Sequence, residues 1–202
     1  MINAMIHGFI LALGLILPLG VQNVFVFNQG ATQPNLMRAL PVVVTAAICD
    51  TLLISVAVLG ISLIILSLSW LKTMIIVIGV GFLLFMGYST WKTKPMKNGS
   101  DFEVFPPKKQ ILFAASVSLL NPHAILDTLG VIGTSSITYT GIEKWAFTLS
   151  CILVSWIWFL GLSLLGKMIG NIDQTGKFII VLNKISAVIM WGTAFFLVVS
   201  LL

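Results

Sequence analysis

Six stretches of this chain are apolar over enough length to cross a lipid bilayer, and that constrains the fold more than anything else in the sequence. A membrane-spanning helix needs about 20 predominantly apolar residues. Such stretches cover about 4–27, 41–66, 72–90, 110–134, 145–167 and 178–201. Charged residues make up only 8% of the chain and hydrophobic ones 58%, with a mean hydropathy of +1.10. Soluble domains carry roughly 25% charged residues, so a water-facing surface cannot be built here. The expected fold class is an all-α polytopic membrane protein with six transmembrane helices. No basic region precedes the first apolar segment, which is also too long for a signal peptide, so it is expected to remain as span one. Pro41 is expected in the first turn of span two, where its missing N–H breaks no helical bond. The longest polar stretch, Trp91 to Lys109, leaves no room for a soluble domain.

The net charge of +5 hints at a polyanionic partner, but its distribution points elsewhere. Arg38 falls in loop one, Lys92, Lys94, Lys97, Lys108 and Lys109 in loop three, and Lys167, Lys177 and Lys184 flank loop five. The even loops hold only Lys72 and Lys144. Lysine and arginine accumulate on the cytoplasmic side of membrane proteins. The odd loops are therefore expected inside and both termini outside, with no role in nucleic-acid binding. Cys49 and Cys151 both lie in expected spans and imply no structural disulfide; each reads best as a small buried apolar residue.

Three spans precede the basic central loop and three follow it. "LGLILPLGVQNVFVFNQG" in span one parallels "SVSLLNPHAILDTLGVIG" in span four: each sets a proline near its middle and a polar residue five positions later, Pro18 with Asn23 and Pro122 with Asp127. A unit of three spans enters the membrane upside down relative to its copy. The expected organisation is thus two inverted three-helix repeats, 1–90 and 110–202, joined by a basic cytoplasmic loop at 91–109, with broken helices in spans 1 and 4. A proline inside a helix frees the carbonyl four residues earlier, and in lipid such groups must be satisfied by protein or by water in a cavity. Two kinked helices packed against their neighbours are the plainer alternative.

Of the six acids, Asp101, Glu103, Glu143 and Asp173 fall in loops; only Asp50 and Asp127 lie well inside spans. Each costs about 2.5–3.5 kcal/mol at a helix centre, and no Lys or Arg lies at comparable depth. Either both are protonated and hydrogen-bonded between helices, or the cation comes from outside: a substrate, a metal or a proton. Gln22, Asn23, Asn121 and His123 cluster nearby in the sequence, and His123 shares a helical face with Asp127 if the helix continues. A metal site drawn from His123, Asp127, Asp50 and Cys49 lacks a close multi-histidine or Cys-x-x-Cys cluster. Ser116, Ser118 or Thr128 beside His123 would be the nucleophile of a membrane enzyme, yet no nucleophile-elbow sequence accompanies them. Neither metal, cofactor nor catalysis is expected.

"LILPLGVQNVFVFNQG", "AAICDTLLI" and "LLNPHAILDT" resemble, in order and spacing, three signature regions of the LysE/ArgO family of basic amino-acid exporters. The resemblance covers essentially the whole chain. Val21 departs from it, since the family often has a second proline there. The related neutral amino-acid exporters resemble this chain in size and span number, without being expected to carry these paired acids. The resemblance implies export of L-lysine or L-arginine across a bacterial plasma membrane, driven by the proton gradient or the membrane potential. A divalent metal-ion exporter of the same superfamily is the rival transport reading, and a non-transporting scaffold the rival of another class.

On this reading the site lies between spans one, two, four and five. Asp50 and Asp127 would hold the substrate's cationic groups. The breaks around Pro18, Gly20 and Pro122, with Gln22, Asn23 and Asn121, would offer donors to its α-carboxylate. His123 would orient Asp127 or relay a proton. The expected partners are the amino acid, protons and the bilayer, with homo-oligomerisation left open. Topology can be tested first. Reporter fusions at Lys97 and at Leu202 are expected to give opposite answers, cytoplasmic and external; matching answers would overturn the six-span arrangement.

Overall fold

The computed structural model describes residues 1–18, 20–60, 68–92, 105–172 and 176–199, with only the backbone of Lys72. Lys94, Lys97, Asp101, Glu103, Asp173 and the expected end of span two past residue 60 lie outside the described residues. Every regular element among those described is helical: α1 (Ile2–Ile16), α2 (Val21–Thr32), α3 (Leu36–Val58), α4 (Ser69–Trp91), α5 (Pro107–Leu119), α6 (Pro122–Asp127), a π-helical turn (Thr128–Ile132), α7 (Gly133–Ser136), α8 (Gly141–Ile172) and α9 (Lys177–Val199).

Helices α3, α4, α8 and α9 are each long and apolar enough to cross a membrane. The remaining apolar length comes in two bent pairs. α1 and α2 meet at 80°, and α5 meets the α6–α7 segment at 55°. If each pair counts as one span, the spans number six. Large apolar side chains such as Leu112, Trp145, Ile157 and Phe195 stand outward, as a lipid-facing surface requires and a water-facing one rarely tolerates.

Local chemistry sets the helix ends. Asn35 Oδ1 accepts from Arg38 N at 3.0 Å and starts α3 a turn earlier than the sequence suggests. Pro41 therefore sits inside α3, not in its first turn. Asn35 satisfies an orphan N–H at this earlier start, and the missing N–H of Pro41 is accommodated inside the helix. Gly60, at φ +86°, follows the last turn of α3 in the left-handed conformation that glycine adopts without strain.

α8 is the spine. At 32 residues it is about 48 Å long, and α1, α2 and α3 all pack along it. Small residues allow the closest approaches. A Cβ on Gly166 would run into the Phe27 carbonyl, one on Gly170 into the Ala31 carbonyl, and one on Gly30 of α2 into the Ser163 carbonyl. Gly166 and Gly170 form the Gly-x-x-x-Gly spacing that lets membrane helices approach backbone to backbone. α4 and α9 form a second pair, and α5 lies against α3.

The ends of the bundle differ in charge. Lys167 Nζ donates to the carbonyls of Gln33 and Pro34 at 3.0 and 3.1 Å. Gln110 donates to the Arg38 carbonyl at 2.9 Å, and Lys184 lies over the Trp91 ring. These contacts gather the described basic residues of loops one, three and five at one end, here termed the basic end. At the other, the Met1 ammonium meets Glu143 at 2.6 Å, and His7 meets the Tyr139 hydroxyl at 2.9 Å.

The glycine contacts make a sign test. Gly14 lies in α1 with open space where a Cβ would go, so Gly14→Ala is expected to be neutral or to gain the ~1 kcal/mol of helix propensity. Gly30→Ala forces α2 off the Ser163 backbone and is expected to lose about 1–3 kcal/mol. Melting of the detergent-solubilised proteins measures both, and equal shifts would remove the close α2–α8 approach.

Candidate functional site

The first break is held by one side chain. α1 ends at Ile16 and α2 begins at Val21, and the carbonyls at the end of α1 lose their helical donors. Asn23, one turn into α2, reaches back: its Nδ2 donates to Ile16 O at 2.6 Å and Pro18 O at 2.8 Å. Its Oδ1 accepts from Trp158 Nε1 of α8 at 3.2 Å. Both amide hydrogens and the oxygen are thus engaged in fixing the bend. The neighbouring Gln22 turns the other way and donates through Nε2 to Asp50 Oδ1 at 3.1 Å. Gly20 is the N-cap of α2 and supplies no side-chain cap. The first N–H groups of α2 are those that a helix leaves without internal partners.

The second break lies at Leu120 and Asn121. Asn121 caps α6 by accepting from His123 N at 3.2 Å, and Pro122 takes the first helical position, where no N–H is required. Pro122 is buried against Gly79 of α4, where a Cβ would collide with the proline ring. The helix does continue through to Asp127, so His123 and Asp127 share a face: Nδ1 lies 2.7 Å from Asp127 Oδ2. A π turn follows directly at Thr128, and such bulges within α-helices often accompany functional sites.

Both breaks open on one cavity. Pro18, Gly20, Gln22, Asn23, Asp50, Asn121, His123 and Asp127 all line it, and Pro122 stands behind its wall. Its volume is about 140 Å³, counted as space for the centre of a water-sized sphere. One water needs about 10–15 Å³ on that measure, so the cavity has space for a small solute. Helices α1, α2, α3, α6 and α8 and the π turn contribute, and Leu83 of α4 with Ile189, Met190 and Thr193 of α9 complete the wall. Two acids face this space, and no lysine or arginine is among the described residues lining it.

Other sequence candidates sit apart. Cys49 is buried outside the cavity lining, and Cys151 packs under Gly8, 3.4 Å from its carbonyl oxygen. Ser116 turns its hydroxyl to Leu112 O of its own helix. Among the described residues no three His, Cys, Asp or Glu side chains gather into a metal-sized group. The sequence reading missed Ser155 and Thr193, which line the cavity, and Trp158, which steadies Asn23. Thr128, weighed in the sequence only as a nucleophile, lines the cavity as well. Ser155 and Trp158 sit in an ordinary apolar span that carries no local signal.

This geometry meets a consistent set of relatives. The family described as LysE type translocator matches residues 13–201. YisU of Bacillus subtilis strain 168, whose name assigns it provisionally to amino-acid transport, is 54% identical over 199 residues, covering 98% of this chain and 90% of YisU. The protein named arginine exporter ArgO in Salmonella typhimurium strain LT2 is 36% identical over 200 residues, covering 96% of this chain and 93% of ArgO, and ArgO of Salmonella paratyphi A aligns with the same figures. No solved structure matches. From span one to the end of α9, then, the chain that folds these two broken helices around a shared acidic cavity belongs to the LysE type translocator family.

Proposed function

We propose that this protein is a plasma-membrane secondary transporter that exports cationic amino acids, L-lysine and/or L-arginine, in exchange for protons. One observation carries the reading: among the described residues, two carboxylates and no lysine or arginine face a cavity walled by two helix breaks. A cationic amino acid at neutral pH carries two positive groups and one carboxylate. Asp50 and Asp127 take the side-chain cation and the α-ammonium, and the free N–H groups at the start of α2 take the α-carboxylate. The name of the ArgO relatives, arginine exporter, fits this balance of charge.

The two acids are held differently. Asp50 is oriented by Gln22, an amide that carries no charge. Asp127 is oriented by His123, an imidazole that can also carry a proton. Proton and substrate compete for a carboxylate, which is the simplest coupling device. Moving one positive charge outward against a negative-inside potential costs about 2.3 kcal/mol per 100 mV. Exchange for one proton cancels that charge movement and leaves the pH gradient as the driving force.

Packing supports the inverted repeat. Span one (α1 and α2) leans on α8 of span five, and span four (α5 to α7) leans on α3 of span two. Spans two and five touch each other, as do three and six. Exchanging the halves, one for four, two for five and three for six, reproduces the same set of neighbours. The gathering of basic residues at one end supports a cytoplasmic basic end with both termini outside.

Radiolabelled efflux from loaded cells tests the substrate. Asp50→Asn and Asp127→Asn keep the shape and remove the charge, so each is expected in the membrane at normal abundance with lysine and arginine efflux reduced roughly tenfold or more, the scale of a lost charge-assisted contact. Near-normal efflux from either variant would return that acid to a structural role. Coupling is tested in proteoliposomes with the potential clamped at zero. With the basic end facing a lysine-loaded lumen, lysine exit is expected to acidify the interior, and Asp127→Asn to abolish both signals. Normal exit at constant internal pH would make the protein a uniporter.

A further inference from the structure

Resting on the transport reading, we propose that the seam between α2 and α5 is the basic-end half of the substrate path, closed in this structure, with the amides of Gln33 and Gln110 as its gate. The cavity does not reach the basic end. Its lining stops at Asn23 on α2, Asp50 on α3, Ser155 on α8 and Ile189 on α9, and nothing nearer the basic end on those helices borders it. A solute arriving from the basic end must pass through what is packed there.

A polar stripe marks where it passes. On α2, Gln22 borders the cavity, and Gln29 and Gln33 follow at seven and eleven residues, spacings that return to within about 20° of the same helix face. On α5, Gln110 and Ser118 lie on the buried side that leads towards Asn121 at the cavity. Polar residues inside a membrane bundle mark pathways more often than lipid-facing surfaces. Between the cavity and the basic end the seam is filled by apolar groups, Val26 and Ala114 among them, each 1% exposed or less.

The two stripes meet at one backbone oxygen. Gln33 Nε2 donates to the Phe105 carbonyl at 3.0 Å and to Gln29 Oε1 at 3.0 Å. Gln110 Nε2 donates to the same Phe105 carbonyl at 2.9 Å and to the Arg38 carbonyl at 2.9 Å. Backbone carbonyls can only accept, so the orientation of both amides is determined. Each amide oxygen is then left buried without a donor, as is the Ser118 hydroxyl. An orphaned buried acceptor costs about 1–3 kcal/mol, and water admitted to an opened seam removes that penalty. The closed state therefore carries a built-in bias that offsets the separation of α2 from α5. Carbonyl oxygens along the opened seam would also receive an ammonium or guanidinium and repel an anion.

A reversible cross-link tests the gate. In a Cys49→Ala, Cys151→Ser background, Gln33→Cys and Gln110→Cys are joined with a short bifunctional methanethiosulfonate. Linking is expected to stop lysine and arginine efflux relative to the same protein before linking, and reduction to restore it. Efflux at the unlinked rate after complete linking would make the clasp a static staple and overturn the proposal. A second arm needs no substrate. Gln110→Glu, which keeps the shape and sets a carboxylate against the Phe105 and Arg38 carbonyls, is expected to speed labelling of Ser118→Cys by a membrane-impermeant thiol reagent roughly tenfold from the basic-end side in inside-out vesicles, the population shift expected from losing a pair of buried hydrogen bonds. An unchanged labelling rate overturns the path. If the unlinked protein exports neither amino acid, the substrate assignment fails while labelling still decides the seam.

Discussion

A bilayer offers no water to a broken helix, so every backbone group freed by a break needs a partner inside the protein. Asn23 is that partner at the first break. With one amide nitrogen it holds two carbonyls on the far side of an 80° bend, and its oxygen is anchored to the spine helix through Trp158. Gln22 and the start of α2 can border a cavity because the residue beside them closes the backbone account at the bend. The second break solves the same problem with less distortion. Asn121 caps α6 and Pro122 needs no donor, so the chain turns by 55° without a long-range anchor.

Holding a bend in place also requires something rigid to bend against. α8 supplies it through glycine contacts with α2, where the backbones touch without intervening side chains. Such contacts are stiff because no rotamer can yield. α4 and α9 instead pair through larger groups, with the Trp191 ring against Gly87 and the Trp91 ring 5.6 Å away. The two kinds of packing divide the bundle into a unit joined by backbone contacts around α8 and a pair joined through side chains that closes one wall of the cavity.

Much of this was legible in the sequence because membrane folding follows few rules. Apolar length gives the spans, and Pro18 and Pro122 locate both breaks to within a few residues. The depth of Asp50 and Asp127 brings them to one cavity with Gln22, Asn121 and His123. Where the structure departs from the sequence reading, a side chain had more than one use. Asn23 and Asp127 occupy matching places after their prolines, yet Asn23 turns back to its own break while Asp127 pairs with His123. The face towards Asp50 falls to Gln22 instead. Pro41 suggested a helix start, but Asn35 provides a better one. Ser155 and Trp158 reach the site only because α8 crosses both broken spans, a tertiary fact with no local trace.

The partners chosen for the two acids bear on why a bilayer protein keeps them at all. A lysine or arginine placed beside Asp50 would relieve its burial most completely, and would also fill the site permanently. Gln22 relieves it by one hydrogen bond without contributing charge, so the carboxylate can still attract a mobile cation. His123 gives Asp127 a partner whose charge depends on whether it holds a proton. In the proposed exchange, a proton on the carboxylate competes with an arriving ammonium or guanidinium, and the imidazole stands where it can relay that proton. The acids are thus stabilised enough to remain in the membrane and left incomplete enough to bind, a balance that a fixed ion pair could not strike.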